Sequence, residues 1–169
     1  WARSPAAAPR RVAVVGGGPA GMAFALNAAE RGHAVTLYEA EAELGGQLNM
    51  ARQVPGKSEF NEMLRYFRGA LARAGVRLRL GTRASAEQLA REGFEHVVLA
   101  TGVRPRRPDI AGLDHPTVLS YVDVLARGAP VGERVAILGA GGIGFDVAEF
   151  LLGDPAESTE AAVVMDRWG

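Results

Sequence analysis

Two glycine-rich turns are the features of this sequence whose residue types and spacing could support chemistry. In the pattern G-x-G-x-x-G the first glycine permits a tight turn, the second lets the backbone approach a pyrophosphate, and the third allows close helix packing. The sequence therefore predicts two dinucleotide-binding turns. Their binding residues are Gly16, Gly18, Pro19, Ala20 and Gly21 in the first, and Gly139, Gly141, Gly142, Ile143 and Gly144 in the second.

Each turn needs a strand before it and a helix after it, because the helix N-terminus offers free N–H groups to an anion. The apolar run Val12–Val15 predicts a buried parallel strand, followed by a helix over Ala20–Arg31 and a strand over Ala34–Tyr38. Around the second turn we expect a strand over Arg134–Leu138 and a helix over Ile143–Leu152. The fold class is therefore α/β and Rossmann-like.

An acidic residue ends the second predicted strand. Glu39 lies about twenty residues beyond the first glycines, where a carboxylate can accept hydrogen bonds from a ribose diol and would repel a 2′-phosphate. Glu39 alone could be a solvated strand end, and glycine turns also simply connect strands to helices. Strand, glycines, helix, strand and acid in this order nevertheless favour nucleotide binding.

The remaining chain divides into four stretches. Residues 1–9 are predicted to be a linker, 10–103 the first domain, 104–133 a crossover rich in Pro and Arg, and 134–169 a second, incomplete domain. Further elements are predicted by apolar periodicity. These are helices over Ser58–Ala74, Ser85–Arg91 and Tyr121–Arg127, and strands over Val76–Leu80 and His96–Ala100.

Composition limits the classes of function. Basic and acidic residues number 19 each and the arginines are scattered, which argues against a nucleic-acid partner. The sequence has no cysteine, so it offers no disulfide, thiolate metal site or iron–sulfur ligand. No apolar run suits a membrane span or a signal peptide, which predicts a soluble, cytoplasmic protein without a membrane partner. A chain of 169 residues is short for two nucleotide domains and begins without Met, so we interpret it as a fragment.

The choice between NAD and FAD at the first site depends on two further segments. Glu39 is followed after five residues by Gly45-Gly46-Gln47, and the strand over His96–Ala100 ends in Ala100-Thr101-Gly102. This pattern resembles the FAD-binding domain of two-dinucleotide flavoprotein reductases, in which both segments approach the flavin dinucleotide. The resemblance implies an FAD site, with NAD(P)H at the second turn. It adds Glu39, Ala40, Gly46, Gln47, Leu48, Ala100, Thr101 and Gly102 to the cofactor-binding residues.

Shorter motifs narrow the resemblance. Gly-Gly-Gln-Leu-Asn at 45–49, Pro55-Gly56-Lys57, His115-Pro116 and Leu119-Ser120-Tyr121 resemble the NADH:flavin oxidoreductase and trimethylamine dehydrogenase group, which includes bacterial 2,4-dienoyl-CoA reductases. Gly-Gly-Ile-Gly-Phe-Asp at 141–146 narrows the resemblance to the C-terminal portion of those dienoyl-CoA reductases. The resemblance implies an N-terminal barrel with FMN and substrate, a 4Fe–4S cluster, electron flow from NADPH through FAD, and a role in fatty acid beta-oxidation. Such a fragment would not be competent alone.

Two questions stay open at this point. The first site could hold ADP in a structural module, as the trimethylamine dehydrogenase resemblance would imply. A third alternative, a complete small NAD-dependent dehydrogenase, conflicts with the presence of two separate glycine-rich turns. NADPH and NADH are also unresolved: a strand over Ala161–Met165 would place Asp166 or Arg167 at the ribose, but the resemblance implies an insertion there. We predict no catalytic side chain and no metal site, because the cofactor would supply the chemistry.

Overall fold

A computed structural model describes residues 4–153 of the chain. Contacts divide it into two compact units. Unit 1 extends to Leu48 and resumes from Asn61 to Arg104, whereas unit 2 contains Asn49–Phe60 and the described residues from Pro105 onward. The segment 49–60, which the sequence places in the first domain, thus clusters with unit 2. The assignment of the two predicted domains to FAD and NAD(P)H stays a prediction.

Unit 1 is built on a parallel sheet. Its strands are β1 (Arg11–Val15), β2 (Ala34–Tyr38), β3 (Arg77–Arg79) and β4 (His96–Leu99), in the order β3-β2-β1-β4. Val12 pairs with Val35 of β2 on one side and with His96 of β4 on the other. Together with the surrounding helices, this sheet confirms the predicted α/β, Rossmann-like fold class.

Six helices accompany the strands within residues 4–153. Their bounds are α1 (Pro19–Glu30), α2 (Leu48–Ala51), α3 (Glu59–Arg73), α4 (Ala86–Arg91), α5 (Tyr121–Leu125) and α6 (Gly142–Leu152). Five were predicted to within about two residues at each end, and only the single turn α2 was not. Helix α1 begins at a proline, whose missing N–H costs nothing at this position, and Ser85 caps α4 by accepting from the Gln88 N–H.

The core of unit 1 lies on both faces of the sheet, because successive strand residues point to opposite sides. Val12 and Val14 face α1 and α3, where they join Met22, Leu37 and Leu71 in one buried cluster. The other face buries a smaller cluster of Ala13, Tyr38 and Leu89, against which Phe94 packs. Both faces are therefore covered near β1 and β2, as a parallel sheet requires.

The predicted strand over Arg134–Leu138 is absent, which corrects the sequence prediction. A strand needs a neighbour for its ladder of hydrogen bonds, and no segment among residues 4–153 pairs with this one. Its apolar side chains stay accessible: Val135 is 49% exposed and Leu138 is 75% exposed. Apolar composition alone did not distinguish an unpaired segment from a strand.

Unit 2 has a small core of its own. Val124 and Leu125 of α5 and Val147 of α6 are buried together, with Met50 and Phe150 packed against them. A capping box at Ser120 and Asp123 fixes the start of α5. Within the described part of the chain, every helix is too short or too polar to cross a lipid bilayer.

Candidate functional site

The first glycine turn passes closely against the end of β4. The Gly16 N–H donates to the Tyr38 carbonyl at 2.8 Å, so the turn starts from the paired ends of β1 and β2. Gly16 has φ of +112°, and a Cβ there would lie 2.3 Å from the Ala100 carbonyl oxygen. No side chain fits that space or that backbone conformation. Glycine at this position is therefore required by the packing of β1 beside β4.

The turn presents the bare start of α1. Gly18 is the N-cap of the helix, with extended backbone and no side-chain hydrogen bond. The first hydrogen bond of the helix runs from the Met22 N–H to the Gly18 carbonyl, at 2.9 Å. The N–H groups of Ala20 and Gly21 precede that ladder and have no partner within the helix. Around the position of a Cβ at Gly18, no heavy atom beyond its chain neighbours lies within 4 Å. This is the arrangement that receives a pyrophosphate.

The Glu39 carboxylate is anchored to the same turn. One oxygen accepts from the Gly17 N–H at 2.6 Å, and the other accepts from the Glu41 N–H at 2.9 Å. Each carboxylate oxygen can accept more than one hydrogen bond, so capacity remains for ribose hydroxyls. Glu39 is half-buried and therefore fixed in direction. Its geometry fits the predicted role of ribose acceptor.

The turn at Gly45-Gly46 lies on the first glycine turn. The Gly45 N–H donates to the Gly17 carbonyl at 2.9 Å, and a Cβ at Gly46 would lie 3.1 Å from the Gly18 Cα. Gly46 has φ of +54°, the left-handed conformation that glycine adopts at little cost. The structure thus brings the Gly45-Gly46 turn onto the turn at Gly16–Gly21, although the two are far apart in sequence.

A third segment joins them through a side chain. Gln47 donates from Nε2 to the Val103 carbonyl at 3.2 Å, which links the Gly45-Gly46 turn to the chain that leaves β4. Thr101 and Gly102, which lie between β4 and Val103, are exposed. All three segments meet at the carboxyl ends of β1, β2 and β4. Because β4 lies on the opposite side of β1 from β2, this edge is the topological switch point, where ligands bind in open parallel sheets.

Behind this edge, Tyr38 secures the end of β2. Its ring is 1% exposed, and its hydroxyl donates to a Glu92 carboxylate oxygen at 2.6 Å. Burial, together with the neighbouring Glu92 carboxylate, raises the pKa of Tyr38 to about 12. The same hydrogen bond lowers the pKa of Glu92. Tyr38 therefore stays a neutral donor and holds β2 at the residue before Glu39.

The second glycine turn, in unit 2, has the backbone geometry of the first. Gly139 has φ of +112°, as Gly16 has, and a Cβ at Gly144 would lie 2.3 Å from the Gly139 carbonyl oxygen. Gly141 caps α6 with extended backbone and no side-chain hydrogen bond, and the space beside Gly141 and Gly142 is open. The turn is thus formed without the strand that was predicted to precede it.

The other predicted site residues lie beside the two glycine turns, at helix starts or after a strand. Pro19 and Ala20 are exposed at the start of α1, Ala40 is half-buried after Glu39, and Leu48 begins α2 and packs against the core. Ile143 is 50% exposed on the first turn of α6. The alternatives at Asp166 and Arg167 lie outside the described residues.

Sequence reasoning missed Gly17 and Leu44. A Cβ at Gly17 would lie 2.7 Å from a Leu44 methyl group and 2.9 Å from a Glu39 carboxylate oxygen. The available signal was that three glycines stand in succession where the motif needs only two. The middle glycine is required by packing, because the Glu39 carboxylate and the buried Leu44 fill the space above it.

The residues of the first site fit an adenine dinucleotide. They provide bare backbone beside Gly18, a helix N-terminus without a side-chain cap, and an oriented carboxylate at Glu39. Pyrophosphate and ribose diol are the groups that these features recognise. The second site provides the same bare helix start for a phosphate group.

Comparison with known proteins agrees with this geometry. The family model described as pyridine nucleotide-disulphide oxidoreductase matches residues 10–165. The NADH oxidase of Thermoanaerobacter brockii is 39% identical over 161 residues, which cover 93% of this chain and 25% of that protein.

Two solved structures extend the comparison. A 2-naphthoyl-CoA reductase complex matches with a TM-score of 0.85 at 35% identity, over 89% of this chain and 23% of that one. Histamine dehydrogenase from Rhizobium sp. 4-9 matches with a TM-score of 0.66 at 31% identity, over 75% of this chain and 20% of that one. The chain thus spans about a quarter or less of the length of these proteins.

Proposed function

Because the chain belongs to the pyridine nucleotide-disulphide oxidoreductase family, we propose that it is the FAD- and NAD(P)H-binding part of a flavin oxidoreductase. FAD is assigned to the turn at Gly16–Gly21 and NADPH or NADH to the turn at Gly139–Gly144. When bound, these cofactors supply hydride transfer from the nicotinamide to the flavin and onward transfer of electrons. The protein groups bind and orient them, so no nucleophilic side chain is required.

One observation supports FAD most directly. The Gly45-Gly46 turn is hydrogen-bonded to Gly17 and lies over Gly18, so the segment that resembles flavoprotein reductases belongs to the same cradle as the pyrophosphate-binding turn. In this cradle the Glu39 carboxylate would orient the adenosine ribose. The start of α1 would hold the pyrophosphate, and Gln47 would keep the Gly45-Gly46 turn closed over it.

The longer protein is proposed to contain an N-terminal barrel with FMN and a 4Fe–4S cluster, which would receive electrons from this chain. The short motif at 141–146 supports a 2,4-dienoyl-CoA substrate for that barrel. By its name, the 2-naphthoyl-CoA reductase acts on an aromatic CoA ester, which supports a CoA ester as the class of substrate.

A second candidate function is an ADP-binding structural module. The contacts at Gly16–Gly18 and Glu39 concern the ADP moiety, which FAD and ADP share. The likeness to histamine dehydrogenase, an amine dehydrogenase by name, favours this candidate for the same reason that the trimethylamine dehydrogenase resemblance does.

Identification of the bound nucleotide distinguishes the two candidates. The chain is purified, its ligand is released by heat and identified by absorbance and chromatography, and any empty protein is incubated with excess FAD. FAD in the released fraction, or stoichiometric FAD uptake, supports the electron-transfer function. ADP that persists after incubation with excess FAD would instead favour the structural module.

The second site is tested separately with Gly144→Ala, whose Cβ would lie 2.3 Å from the Gly139 carbonyl oxygen. In the FAD-loaded chain, we expect anaerobic NADPH or NADH to bleach the visible flavin absorbance. Gly144→Ala should abolish bleaching while FAD content stays unchanged. Equal bleaching in the variant would reject the second glycine turn as the NAD(P)H site.

A further inference from the structure

An ion pair in unit 2 connects a loop to the helix of the second glycine turn. Lys57 Nζ lies 2.6 Å from Asp146 Oδ1, and the two side chains are 35% and 29% exposed. Asp146 lies in the second turn of α6, which begins at Gly142. Partial burial reduces the screening of this pair by water, relative to an ion pair that is fully exposed.

Besides the ion pair, the segment 49–60, which we call the strap, makes apolar contacts with α6 and with the residue that follows it. Met50 of the strap packs against the cluster that contains Val147. Near the end of α6, the Pro55 ring lies close to Gly153, since a Cβ there would be 2.6 Å from the Pro55 Cγ. The strap therefore contacts the helix near its start, along its buried face and at its end.

The start of α6 needs such support. In the first glycine turn, the preceding strand β1 is held by ladders on both sides. Before the second turn, residues 134–138 form no ladder within the described part of the chain. The Lys57 ion pair is a polar contact that fixes the helix near the turn. It also offsets the negative charge of Asp146, which would otherwise repel a phosphate at the helix start.

We propose that Lys57 is a positioning residue for the pyridine nucleotide: through Asp146 it fixes the start of α6 and neutralises a carboxylate in the second turn of that helix. This inference rests on the proposed NAD(P)H function of the Gly139–Gly144 turn. It predicts that the ion pair, and not Lys57 alone, determines nucleotide affinity.

The test measures the Kd of NADPH and of NADH for the FAD-loaded full chain. Lys57→Met removes the ion pair and leaves the negative charge of Asp146 uncompensated, so we expect roughly a tenfold rise in Kd. Asp146→Asn also removes the ion pair but leaves a cation, so we expect only about a threefold rise. The double variant should be no weaker than Lys57→Met, because both changes remove one interaction. Lys57→Arg should restore most of the affinity.

Arg127→Met is the matched control, since Arg127 forms an ion pair with Asp123 on α5 in the same unit. Its Kd should equal that of the unsubstituted chain, and FAD content should be equal in all variants. If the variants that remove a charge fail to fold, the double variant Lys57→Asp with Asp146→Lys provides the same test. It restores an ion pair of reversed polarity, so we expect the nucleotide affinity of the unsubstituted chain to be recovered.

Three results would overturn the proposal. An unchanged Kd in Lys57→Met excludes any role for Lys57 in nucleotide binding. Losses that multiply in the double variant, or full affinity in Asp146→Asn, show that Lys57 acts without Asp146. Failure of the unsubstituted, FAD-loaded chain to bind either NADPH or NADH is a different result, because it rejects the proposed function of the second turn and this inference with it.

Discussion

The Glu39 carboxylate accepts a hydrogen bond of 2.6 Å from the Gly17 N–H, and this contact connects the two parts of the first site. Gly17 also accepts from the Gly45 N–H through its carbonyl, at 2.9 Å. The residue that would orient the ribose is thus bonded to the turn that would hold the pyrophosphate. Changes at either residue should affect both the fold of the turn and the affinity for the dinucleotide.

Gly17→Ala should destabilise the chain and prevent FAD binding. Its Cβ would lie 2.9 Å from the Glu39 oxygen and 2.7 Å from the Leu44 methyl group, and Leu44 is 2% exposed and cannot easily move. Overpacking of this kind typically costs about 1–3 kcal/mol. Urea unfolding would measure the loss of stability, and equilibrium titration with FAD would measure binding.

Gly18→Ala is the contrasting variant in the same turn. Its Cβ meets no other heavy atom within 4 Å and its φ of −73° suits any residue, so stability should stay within about 0.5 kcal/mol. FAD affinity should nevertheless fall, because the methyl group occupies the space of the pyrophosphate. Gly132→Ala, in open space outside both turns, should change neither property. Full FAD affinity in Gly18→Ala would contradict the assigned position of the pyrophosphate.

Glu39→Gln should weaken FAD and ADP binding roughly tenfold. Both oxygens of Glu39 accept from backbone N–H groups, of Gly17 and Glu41, so an amide must direct its NH₂ group at one of these donors. Isothermal titration with ADP and with FAD would measure the effect. Glu41→Gln is the matched control, because it removes a neighbouring charge and leaves the backbone N–H in place. Equal affinities in both variants would show that Glu39 does not orient the ribose.

Gln47 provides a test of the link between the Gly45-Gly46 turn and the chain after β4. Gln47→Ala removes the 3.2 Å hydrogen bond to the Val103 carbonyl and should raise the Kd of FAD about threefold. Gln47→Glu should raise it further, because a carboxylate would repel that carbonyl. Gln53→Ala removes a comparable exposed hydrogen bond, to the Asn49 carbonyl, and should leave FAD affinity unchanged. An FAD Kd in Gln47→Glu equal to that of the unsubstituted chain would reject the link.

Tyr38→Phe should alter how stability depends on pH. The pKa of Tyr38 is about 12 in the folded chain against 10.0 for an unperturbed tyrosine. Between these two pH values the folded chain keeps the hydroxyl proton of Tyr38, whereas the unfolded chain loses it. The resulting stability is fully present below pH 10.0 and is lost as pH rises towards about 12. Within that window the loss is roughly 1 kcal/mol per pH unit. Urea unfolding at stepped pH should show this extra loss in the unsubstituted chain but not in Tyr38→Phe.

At neutral pH, Tyr38→Phe should cost about 1–3 kcal/mol, because it removes a hydrogen bond to a carboxylate. Tyr66→Phe is the control: Tyr66 is 57% exposed, so its substitution should change neither the stability at neutral pH nor the alkaline loss. If Tyr38→Phe kept the same alkaline loss as the unsubstituted chain, another group would be responsible for it.

The sequence by itself determined the elements and the type of site. Val12–Val15, the glycines that follow, the proline at the start of α1 and the acid after β2 are local signals. Backbone sterics, helix capping and apolar periodicity depend on residues only a few positions apart. For that reason the bounds of nine elements could be predicted without the structure. Dinucleotide binding at the first turn stays a prediction from the same local signals.

Only the tertiary structure decided which of these elements meet. The order β3-β2-β1-β4 places Ala100 against Gly16. The tertiary structure also brings the Gly45-Gly46 turn onto Gly17 and Gly18 and, within unit 2, Lys57 beside Asp146. It also left residues 134–138 without a strand partner among residues 4–153, although their apolar pattern resembles that of β1. Strand pairing and ion pairing join residues that are distant in sequence, and their free energy depends on a neighbour that no local pattern specifies.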